Sequence, residues 1–348
     1  MSPSFPLVGK EALTAALSRR PPERILLVGR DQLGDAVNTT GAVDSILRRF
    51  PDAEFVLEVG AAGAGVFQGF SDRLVVVSRA RHQGVLGKLK RVAEWRRRRF
   101  DLVVILDDVN EPVRLARLAG IPVRVGIHYT KHANLFTAYA DRGRVERDTL
   151  WEGLTGVLDL LSAEIDLKPR LYPGTKDKAE VPNLPAGPLV GLHVGASDRK
   201  KEWPVERFVE LADLLSGCTP LVLCGPGEEE LLRIARERGC LTVPPLPSVL
   251  AYAEMIGRLD VLVTADTGPA HLAVATDTPV VIIYGPTSPD YYRPFGSKWT
   301  ALHHPGGCRH YSGICEGERD AGACDRRCIR QVTVESVEAA VTSYLVNR

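Results

Sequence analysis

Short, uninterrupted apolar runs alternate with helix-length segments along almost the whole chain. Three of these runs are RILLVG at 24–29, DLVVILD at 101–107 and PVVIIYG at 279–285. A strand buried on both faces has this composition, because neither face needs polar side chains. Strand–helix alternation of this kind predicts an α/β chain whose parallel sheets are covered by helices on both faces. We therefore predict doubly wound, Rossmann-like sheets.

The chain has 348 residues, which is long for one hydrophobic core. The Pro- and Gly-rich segment VPNLPAGP at 181–188 separates two halves that repeat the same alternation. We predict an N-terminal Rossmann-like domain at 1–180 and a C-terminal one at 181–348, facing a cleft, the second with a terminal helix. Helical spacing of apolar residues predicts the main helices at 86–99, 111–119, 205–216, 227–238, 248–257 and 269–275.

Composition and charge narrow the class of protein. With 45% hydrophobic and 25% charged residues and no apolar run of the ~20 residues that a membrane span needs, the chain is typical of a soluble enzyme. The N-terminus has a lysine in its weakly apolar part, so we predict a cytoplasmic protein without a signal peptide. The first 170 residues carry 26 Lys and Arg against 21 Asp and Glu, or +5. This excess suits an anionic partner, and we expect no nucleic acid.

Because ligands bind at the carboxyl ends of parallel strands, the loops that follow strands carry the candidate chemistry. The first is GRDQLGDAVNTTGA at 29–42, with Asp35 where a strand gives way to a helix. Asp35 is either the helix N-cap, which this loop alone favours, or a general base whose anion the helix N-terminus stabilises. The loop has no G-x-G-x-x-G, which argues against a dinucleotide site.

Two further loops suit a nucleotide. HVGASDRKKEWP at 193–204 offers Ser197, backbone amides and a lysine for a phosphate group, although a solvated basic loop has the same composition. CGPGEEE at 224–230 offers Glu228 or Glu229 as an acceptor for nucleoside hydroxyl or amine groups. Either glutamate equally suits the first turn of a helix.

The loop DTGPAH at 266–271 brings four functional residue types to one strand end. Gly268 allows a close approach of the backbone to a ligand. Thr267 and the amides of the following helix suit a diphosphate, and His271 lies on the first turn of that helix. Asp266, at the strand tip, orients the loop or binds a sugar hydroxyl. We predict a diphosphate-binding loop here.

These motifs together resemble glycosyltransferase family 9, the bacterial ADP-heptose:lipopolysaccharide heptosyltransferases. The resemblance rests on ILLVGRDQLGDAVNTTGAV (25–43), LHVGASDRKKEWP (192–204), LCGPGEEE (223–230) and above all DTGPAHLAVATDTPVVIIYGPTSPDYYRPFG (266–296), in the family's order. It implies a GT-B fold, with the acceptor on the N-terminal domain and the nucleotide sugar on the C-terminal one.

The resemblance also implies roles for the loop residues. It identifies Asp35 with the family's catalytic aspartate, which favours the general base over the cap alone, and Lys201 with the phosphate-binding lysine. The nucleotide-sugar site that it implies consists of Ser197, Lys201, Glu228 or Glu229, Asp266, Thr267, Gly268 and His271.

The implied reaction is inverting, metal-independent transfer of heptose from ADP-heptose to an anionic glycolipid or other glycan acceptor. Lipopolysaccharide biosynthesis would bring the enzyme to the inner membrane face as a peripheral protein. Alternatives are a protein, another glycan or a small metabolite as acceptor. From other classes, the alternatives are a nucleotide-sugar epimerase or hydrolase of the same fold, or a nucleotide-sugar binder without catalysis.

Four of the seven cysteines are clustered in a predicted loop at 304–331. Disulfides rarely persist in the cytoplasm, so clustered thiols predict a structural zinc or iron, with plain thiols as the alternative. Certain protein-modifying heptosyltransferases bind iron in this region. The predicted ligands are Cys308, Cys315, Cys324 and Cys328, with His303, His304 or His310 as possible substitutes. We predict that catalysis itself requires no cofactor.

Overall fold

The structure is a computed structural model that describes residues 6–79, 84–107, 109–128, 131–141, 150–304 and 326–346. The chain forms two compact units, Met1–Tyr172 and Pro173–Arg348. Each unit is a parallel-dominated sheet with helices, so the predicted α/β class is confirmed. Among the described helices, none has the length and apolar character that crossing a membrane needs.

The N-terminal unit contains a seven-stranded sheet within its described residues. Its strands are β1 Leu7–Val8, β2 Arg24–Val28, β3 Glu54–Val59, β4 Leu74–Ser78, β5 Leu102–Ile105, β6 Val123–His128 and β7 Ala138–Asp141. Its helices are α1 Lys10–Arg19, α2 Leu33–Arg49, α3 Ala61–Ala64, α4 Gly84–Arg98, α5 Glu111–Ala119 and α6 Leu150–Leu160. Strands β2 to β7 run parallel, and β1 pairs antiparallel with β7.

The C-terminal unit contains a six-stranded parallel sheet in the part of it that is described. Its strands are β8 Leu189–His193, β9 Thr219–Leu223, β10 Thr242–Val243, β11 Val261–Ala265, β12 Val280–Tyr284 and β13 Trp299–His303. Its helices are α7 Thr175–Ala179, α8 Val205–Leu214, α9 Glu229–Glu237, α10 Val249–Ile256, α11 Gly268–Ala275, α12 Pro289–Tyr292, α13 Arg327–Arg330 and α14 Val334–Val346.

Both sheets have the strand order of a doubly wound fold. The order is β4-β3-β2-β5-β6-β7 in the first unit, with β1 added at the edge, and β10-β9-β8-β11-β12-β13 in the second. The chain reverses its winding direction between β2 and β5, and again between β8 and β11. The loops after these strands lie at a switch point, which is where such sheets bind ligands. Each unit therefore presents one candidate ligand site of its own.

Helix α5 shows why a predicted helix begins and ends close to its expected positions. Helix α5 has Pro112 in its first turn, where a missing N–H costs little, and ends at Gly120 in the left-handed conformation (φ 81°). In the N-terminal unit, residues 25–28 of β2 and all of β5 are apolar and buried, and Trp95 packs in the same core. Trp203 is buried in the core of the C-terminal unit.

The division between the units lies at 172/173, ahead of the predicted linker at 181–188. The intervening helix α7 packs on α10 of the second unit. Ser248 Oγ donates a 2.7 Å hydrogen bond to Asp177 Oδ1, and Arg258 Nη2 donates to the Lys178 carbonyl. Residues 173–180 therefore belong structurally with the C-terminal unit. The Pro- and Gly-rich segment at 181–188, which was used to predict the boundary, comes just after them.

Candidate functional site

Asp35 lies within helix α2, in its first turn. The helix begins at Leu33, its N-cap is Gln32, and no side chain caps it. The interpretation of Asp35 as an N-cap is therefore wrong, because the chain is already helical two residues earlier. Arg30 Nη1 lies 3.4 Å from Asp35 Oδ2, and the aspartate side chain is 34% exposed. The carboxylate is thus oriented by a cation and by the helix N-terminus while it stays open to a ligand.

Lys201 and Asp266 form an ion pair across the switch point of the second sheet. Lys201 follows β8, Asp266 follows β11, and these two strands are neighbours. Lys201 Nζ lies 2.9 Å from Asp266 Oδ2 and donates a second bond of 3.1 Å to the Asp266 carbonyl. The Asp266 side chain is 6% exposed against 25% for Lys201. An ammonium has three donors, so one proton remains beyond these two bonds.

A third residue, Thr287, completes this arrangement. Its hydroxyl donates a 2.7 Å hydrogen bond to Asp266 Oδ2, and its side chain is buried. Asp266 therefore accepts from both Lys201 and Thr287. This geometry favours the first of its two predicted roles, orienting the loop and its lysine, over binding a sugar hydroxyl.

The loop at 266–271 folds as a strand-to-helix turn. Thr267 is the N-cap of α11, and its hydroxyl lies 3.2 Å from Thr264 Oγ1. Pro269 has no N–H, and the Ala270 amide donates to the Thr267 carbonyl. Pro269 therefore offers no amide to an anion and the Ala270 amide is already engaged, which leaves Gly268 as a candidate amide donor and fewer donors than the sequence suggested. His271 lies buried on the same turn.

The structure distinguishes the two candidate glutamates. Glu229 is fully exposed at the start of α9 and accepts from the Gly227 amide at 3.1 Å. Glu228 turns inward, and its Oε2 accepts a 2.7 Å hydrogen bond from the Gly225 amide. Burial raises the pKa of Glu228, so its protonation begins at a higher pH than that of an exposed glutamate. Glu228 is the glutamate that faces the carboxyl end of the sheet.

A buried hydrogen-bonded pair lies next to Glu228. His193 Nδ1 lies 2.8 Å from the Tyr252 hydroxyl, and His193 Nε2 lies 4.0 Å from Glu228 Oε2. Burial lowers the pKa of His193 to about 4, so the imidazole is neutral near pH 7. Gly195 lies under the carboxylate, where a Cβ atom would come within 1.7 Å of Glu228 Oε2. A larger residue here would displace the carboxylate from its present position.

The predicted residues not yet placed are Ser197 and the four clustered cysteines. Ser197 is exposed in the loop between β8 and the 3₁₀ turn Arg199–Lys201. Cys308, Cys315 and Cys324 lie outside the described residues, and Cys328 is buried in α13. Within the described ranges, no group of three or more His, Cys, Asp or Glu side chains is placed to hold a metal ion. The structural zinc or iron at the cysteine cluster stays a prediction.

Sequence reasoning missed several residues that the structure brings to these sites. They are Arg30, His193, Tyr252 and Thr287. The sequence could have indicated Thr287, because it follows the predicted strand at 280–284, which is the next strand after Asp266. His193 and Tyr252 had no such indication, because they are distant in the sequence and both resemble ordinary core residues.

Comparisons with known proteins identify the family of the chain. The profile of glycosyltransferase family 9 (heptosyltransferase) matches residues 89–312. The chain is 26% identical over 296 residues to lipopolysaccharide heptosyltransferase 1 of Pseudomonas aeruginosa, covering 80% of this chain and 83% of that protein.

Solved structures share the fold. A glycosyl transferase family 9 protein from Veillonella parvula superposes with a TM-score of 0.79 at 20% identity, covering 94% of this chain and 98% of that one. Escherichia coli heptosyltransferase WaaC with ADP-2-deoxy-2-fluoro heptose gives a TM-score of 0.64 at 20% identity, covering 92% and 99%. The predicted GT-B class is confirmed.

Proposed function

Because the chain belongs to glycosyltransferase family 9, the heptosyltransferase family, we propose that it transfers a heptose from ADP-heptose to a lipopolysaccharide-core-type acceptor. The observation that carries this proposal is the Lys201–Asp266 pair, which holds an ammonium at the switch point of the C-terminal sheet. The E. coli relative bound to a fluorinated ADP-heptose supports this donor. The P. aeruginosa relative, named for lipopolysaccharide, supports this acceptor class.

The C-terminal unit binds the donor in this proposal. Lys201 contacts the diphosphate with its remaining proton, and the Gly268 amide, Thr267 and His271 contact the same group. Ser197 lies in the loop that precedes Lys201 and adds a hydroxyl. Glu228 accepts hydrogen bonds from the nucleoside.

The transfer is a single displacement with inversion. Asp35 takes the proton of the acceptor hydroxyl as that oxygen forms a bond to the anomeric carbon. The bond from the anomeric carbon to the diphosphate oxygen breaks, and its electron pair leaves with ADP. Lys201 and the loop at 266–271 stabilise the negative charge that grows on this leaving group. In this scheme the protein supplies the positive charge, so the reaction proceeds in EDTA.

The donor assignment predicts selective binding of adenine nucleotides. We expect ADP and ADP-heptose to bind at least about tenfold more tightly than UDP, GDP, UDP-glucose or NAD, a difference of about 1.4 kcal/mol. Isothermal calorimetry on metal-assayed protein measures it. A preference for UDP or GDP would exclude ADP-heptose as donor. ADP release that does not depend on added acceptor would favour a hydrolase, and an altered ADP-sugar without ADP release would favour an epimerase.

The packing of Glu228 over Gly195 predicts a second effect on the donor. The substitution Gly195→Ala places a methyl group where the carboxylate lies and displaces it. We expect ADP to bind about tenfold more weakly. The free energy of unfolding should fall by only about 1 kcal/mol, because the flexible Glu228 side chain can move aside and loses its hydrogen bond from the Gly225 amide. Calorimetry and thermal unfolding measure the two changes.

Gly257→Ala is the matched control for this variant. Gly257 lies at the end of α10 in ordinary helical geometry, and an added methyl group would lie no closer than 3.4 Å to a neighbour. We expect wild-type ADP binding and stability for this control. Wild-type ADP affinity in Gly195→Ala would mean that Glu228 has no part in nucleotide binding.

A further inference from the structure

Tyr292 lies beside the lysine that the proposed function assigns to the diphosphate. Lys201 Nζ lies 5.8 Å from the centroid of the Tyr292 ring, within the range of a cation–π contact. The tyrosine is 42% exposed. It belongs to the sequence motif at 266–296, and the reaction scheme above gives it no part. An exposed aromatic ring therefore borders the place where Lys201 meets its ligand.

The backbone of Tyr292 is held through both its amide and its carbonyl. The residue ends the short helix α12, whose N-cap Ser288 accepts a 3.2 Å hydrogen bond from the Asp290 amide. The Tyr292 amide donates to the Ser288 carbonyl at 3.1 Å, and the Tyr292 carbonyl accepts a 3.2 Å bond from the hydroxyl of the buried Tyr284. A ring on an anchored turn loses little conformational freedom when a ligand packs on it.

The strand order of the C-terminal sheet sets the order of the ligand-binding groups along its carboxyl edge. The strands β9, β8, β11 and β12 are successive neighbours, and all run parallel. Glu228 follows β9, Lys201 follows β8, the loop at 266–271 follows β11, and Tyr292 follows β12. Neighbouring strands lie about 4.8 Å apart, so β9 and β12 are separated by about 14 Å. The diphosphate-binding groups therefore lie between Glu228 and the tyrosine ring.

A nucleotide sugar has its parts in the same order. Its diphosphate separates the nucleoside from the sugar. Binding of the nucleoside at Glu228 and of the diphosphate at Lys201 therefore directs the sugar away from β9 and toward β12, where Tyr292 lies. A pyranose ring has apolar C–H groups on its faces and hydroxyl groups at its rim. Such a face can pack on the apolar ring of a tyrosine while the hydroxyl groups keep their hydrogen bonds.

Two other uses of the ring fit the structure less well. An adenine base also stacks on aromatic rings, but it would lie at the Glu228 end of the edge, three strand spacings from β12. A contact with the ammonium of Lys201 would stabilise that charge, but Lys201 already has the buried Asp266 carboxylate at 2.9 Å. The sugar is therefore the part of the ligand that the ring suits best.

We propose that Tyr292 is a specificity-determining residue for the nucleotide sugar, and that the sugar stacks on its ring. The inference rests on the proposed function and deepens it, because it assigns the sugar end of ADP-heptose to the segment that follows β12. Since the contact involves the sugar alone, it increases the affinity for ADP-heptose and leaves the affinity for ADP unchanged.

Calorimetric titration of the full-length protein with ADP and with ADP-heptose separates the sugar contact from the nucleotide contacts. We expect Tyr292→Ala to bind ADP-heptose about tenfold more weakly than the wild type, a loss typical of one stacking contact. Its Kd for ADP should stay within about twofold of the wild-type value. An equal loss for both ligands would overturn the proposal, as would wild-type binding of both.

Tyr292→Phe separates the ring from its hydroxyl. The phenyl ring keeps the apolar face, so we expect wild-type affinity for both ligands. A loss of ADP-heptose binding as large as in Tyr292→Ala would assign the contact to the hydroxyl and would overturn stacking. Thermal unfolding checks that the variants fold. If Tyr292→Ala melts early, Tyr292→Leu, which keeps the bulk without a flat ring, should show the same selective loss.

Tyr344→Ala is the matched control, since it removes a tyrosine from the same unit. Tyr344 lies on α14, and its hydroxyl lies 3.0 Å from Thr300 Oγ1, near the start of β13 and away from the carboxyl edge. We expect wild-type Kd values for both ligands.

The wild-type titration tests the proposed function separately. If the wild-type protein bound neither ADP nor ADP-heptose, the proposed nucleotide sugar would be rejected, and the role of Tyr292 with it. If the wild type bound both and Tyr292→Ala showed no selective loss, the role of Tyr292 alone would be rejected.

Discussion

Replacing Asp35 with asparagine is expected to lower kcat by about 10²–10⁴-fold, the contribution that general base catalysis usually makes. The amide has nearly the same shape but cannot accept the proton of the acceptor hydroxyl. Asp35 lies in the first unit, whereas the proposed nucleotide-binding residues lie in the second. We therefore expect the Kd of ADP to change by less than about twofold. Acceptor-dependent ADP release and calorimetry measure the two quantities.

Asp44→Asn is the control for Asp35→Asn. Asp44 lies on the same helix, α2, but faces Arg48 and Arg170, so it tests for a general effect of removing a carboxylate from α2. We expect this control to keep wild-type turnover. If Asp35→Asn retained more than about a tenth of wild-type kcat, Asp35 would not be the base. If it lost ADP binding as well, the proposed division of roles between the units would be wrong.

The sequence predicted the architecture well because the fold depends on patterns that are local. Continuous apolar strands and amphipathic helices are each visible within a dozen residues, and the structure has them near the predicted positions. The two-residue strand β1 was missed because its pairing with β7 is set by register, Leu7 opposite Ala140, across more than a hundred residues. A pattern within one segment contains no information of that kind.

The sites were harder to predict, for the same physical reason. Motifs pointed to Lys201, Asp266 and either Glu228 or Glu229, but Thr287, which bonds to Asp266, comes from another loop. The choice between Glu228 and Glu229 depends on where α9 begins, which a run of three glutamates does not specify.

Charge in the N-terminal unit is the clearest example of this limit. A net excess of lysine and arginine in the sequence suggested an anionic ligand, yet Arg79, Lys88 and Arg91 of the N-terminal unit are each paired with a carboxylate. Net charge describes long-range attraction, whereas ligand selectivity depends on which donors remain free at a few ångströms.

The substitution Lys201→Met is expected to lower kcat by about 10²–10³-fold, the usual loss when one donor to a developing negative charge is removed. It is also expected to weaken ADP binding, because the ammonium contacts the diphosphate in the ground state as well. Lys200→Met is the control, since Lys200 lies on the same 3₁₀ turn and changes the net charge equally. We expect near wild-type kcat and Kd for this control. Steady-state kinetics and calorimetry separate the two effects.

Lys201→Met has a second consequence that must be separated from catalysis. Asp266 is buried, and without its partner it becomes an uncompensated charge that costs on the order of 1–3 kcal/mol, less than for a fully buried pair because Lys201 is a quarter exposed. The double variant Lys201→Met/Asp266→Asn removes both charges, so its melting temperature should return toward that of the wild type. Its kcat should stay as low as in Lys201→Met, because the diphosphate still lacks the ammonium. If turnover recovered together with stability, Lys201 would act on the fold alone, and the leaving-group role would have to be assigned to another donor.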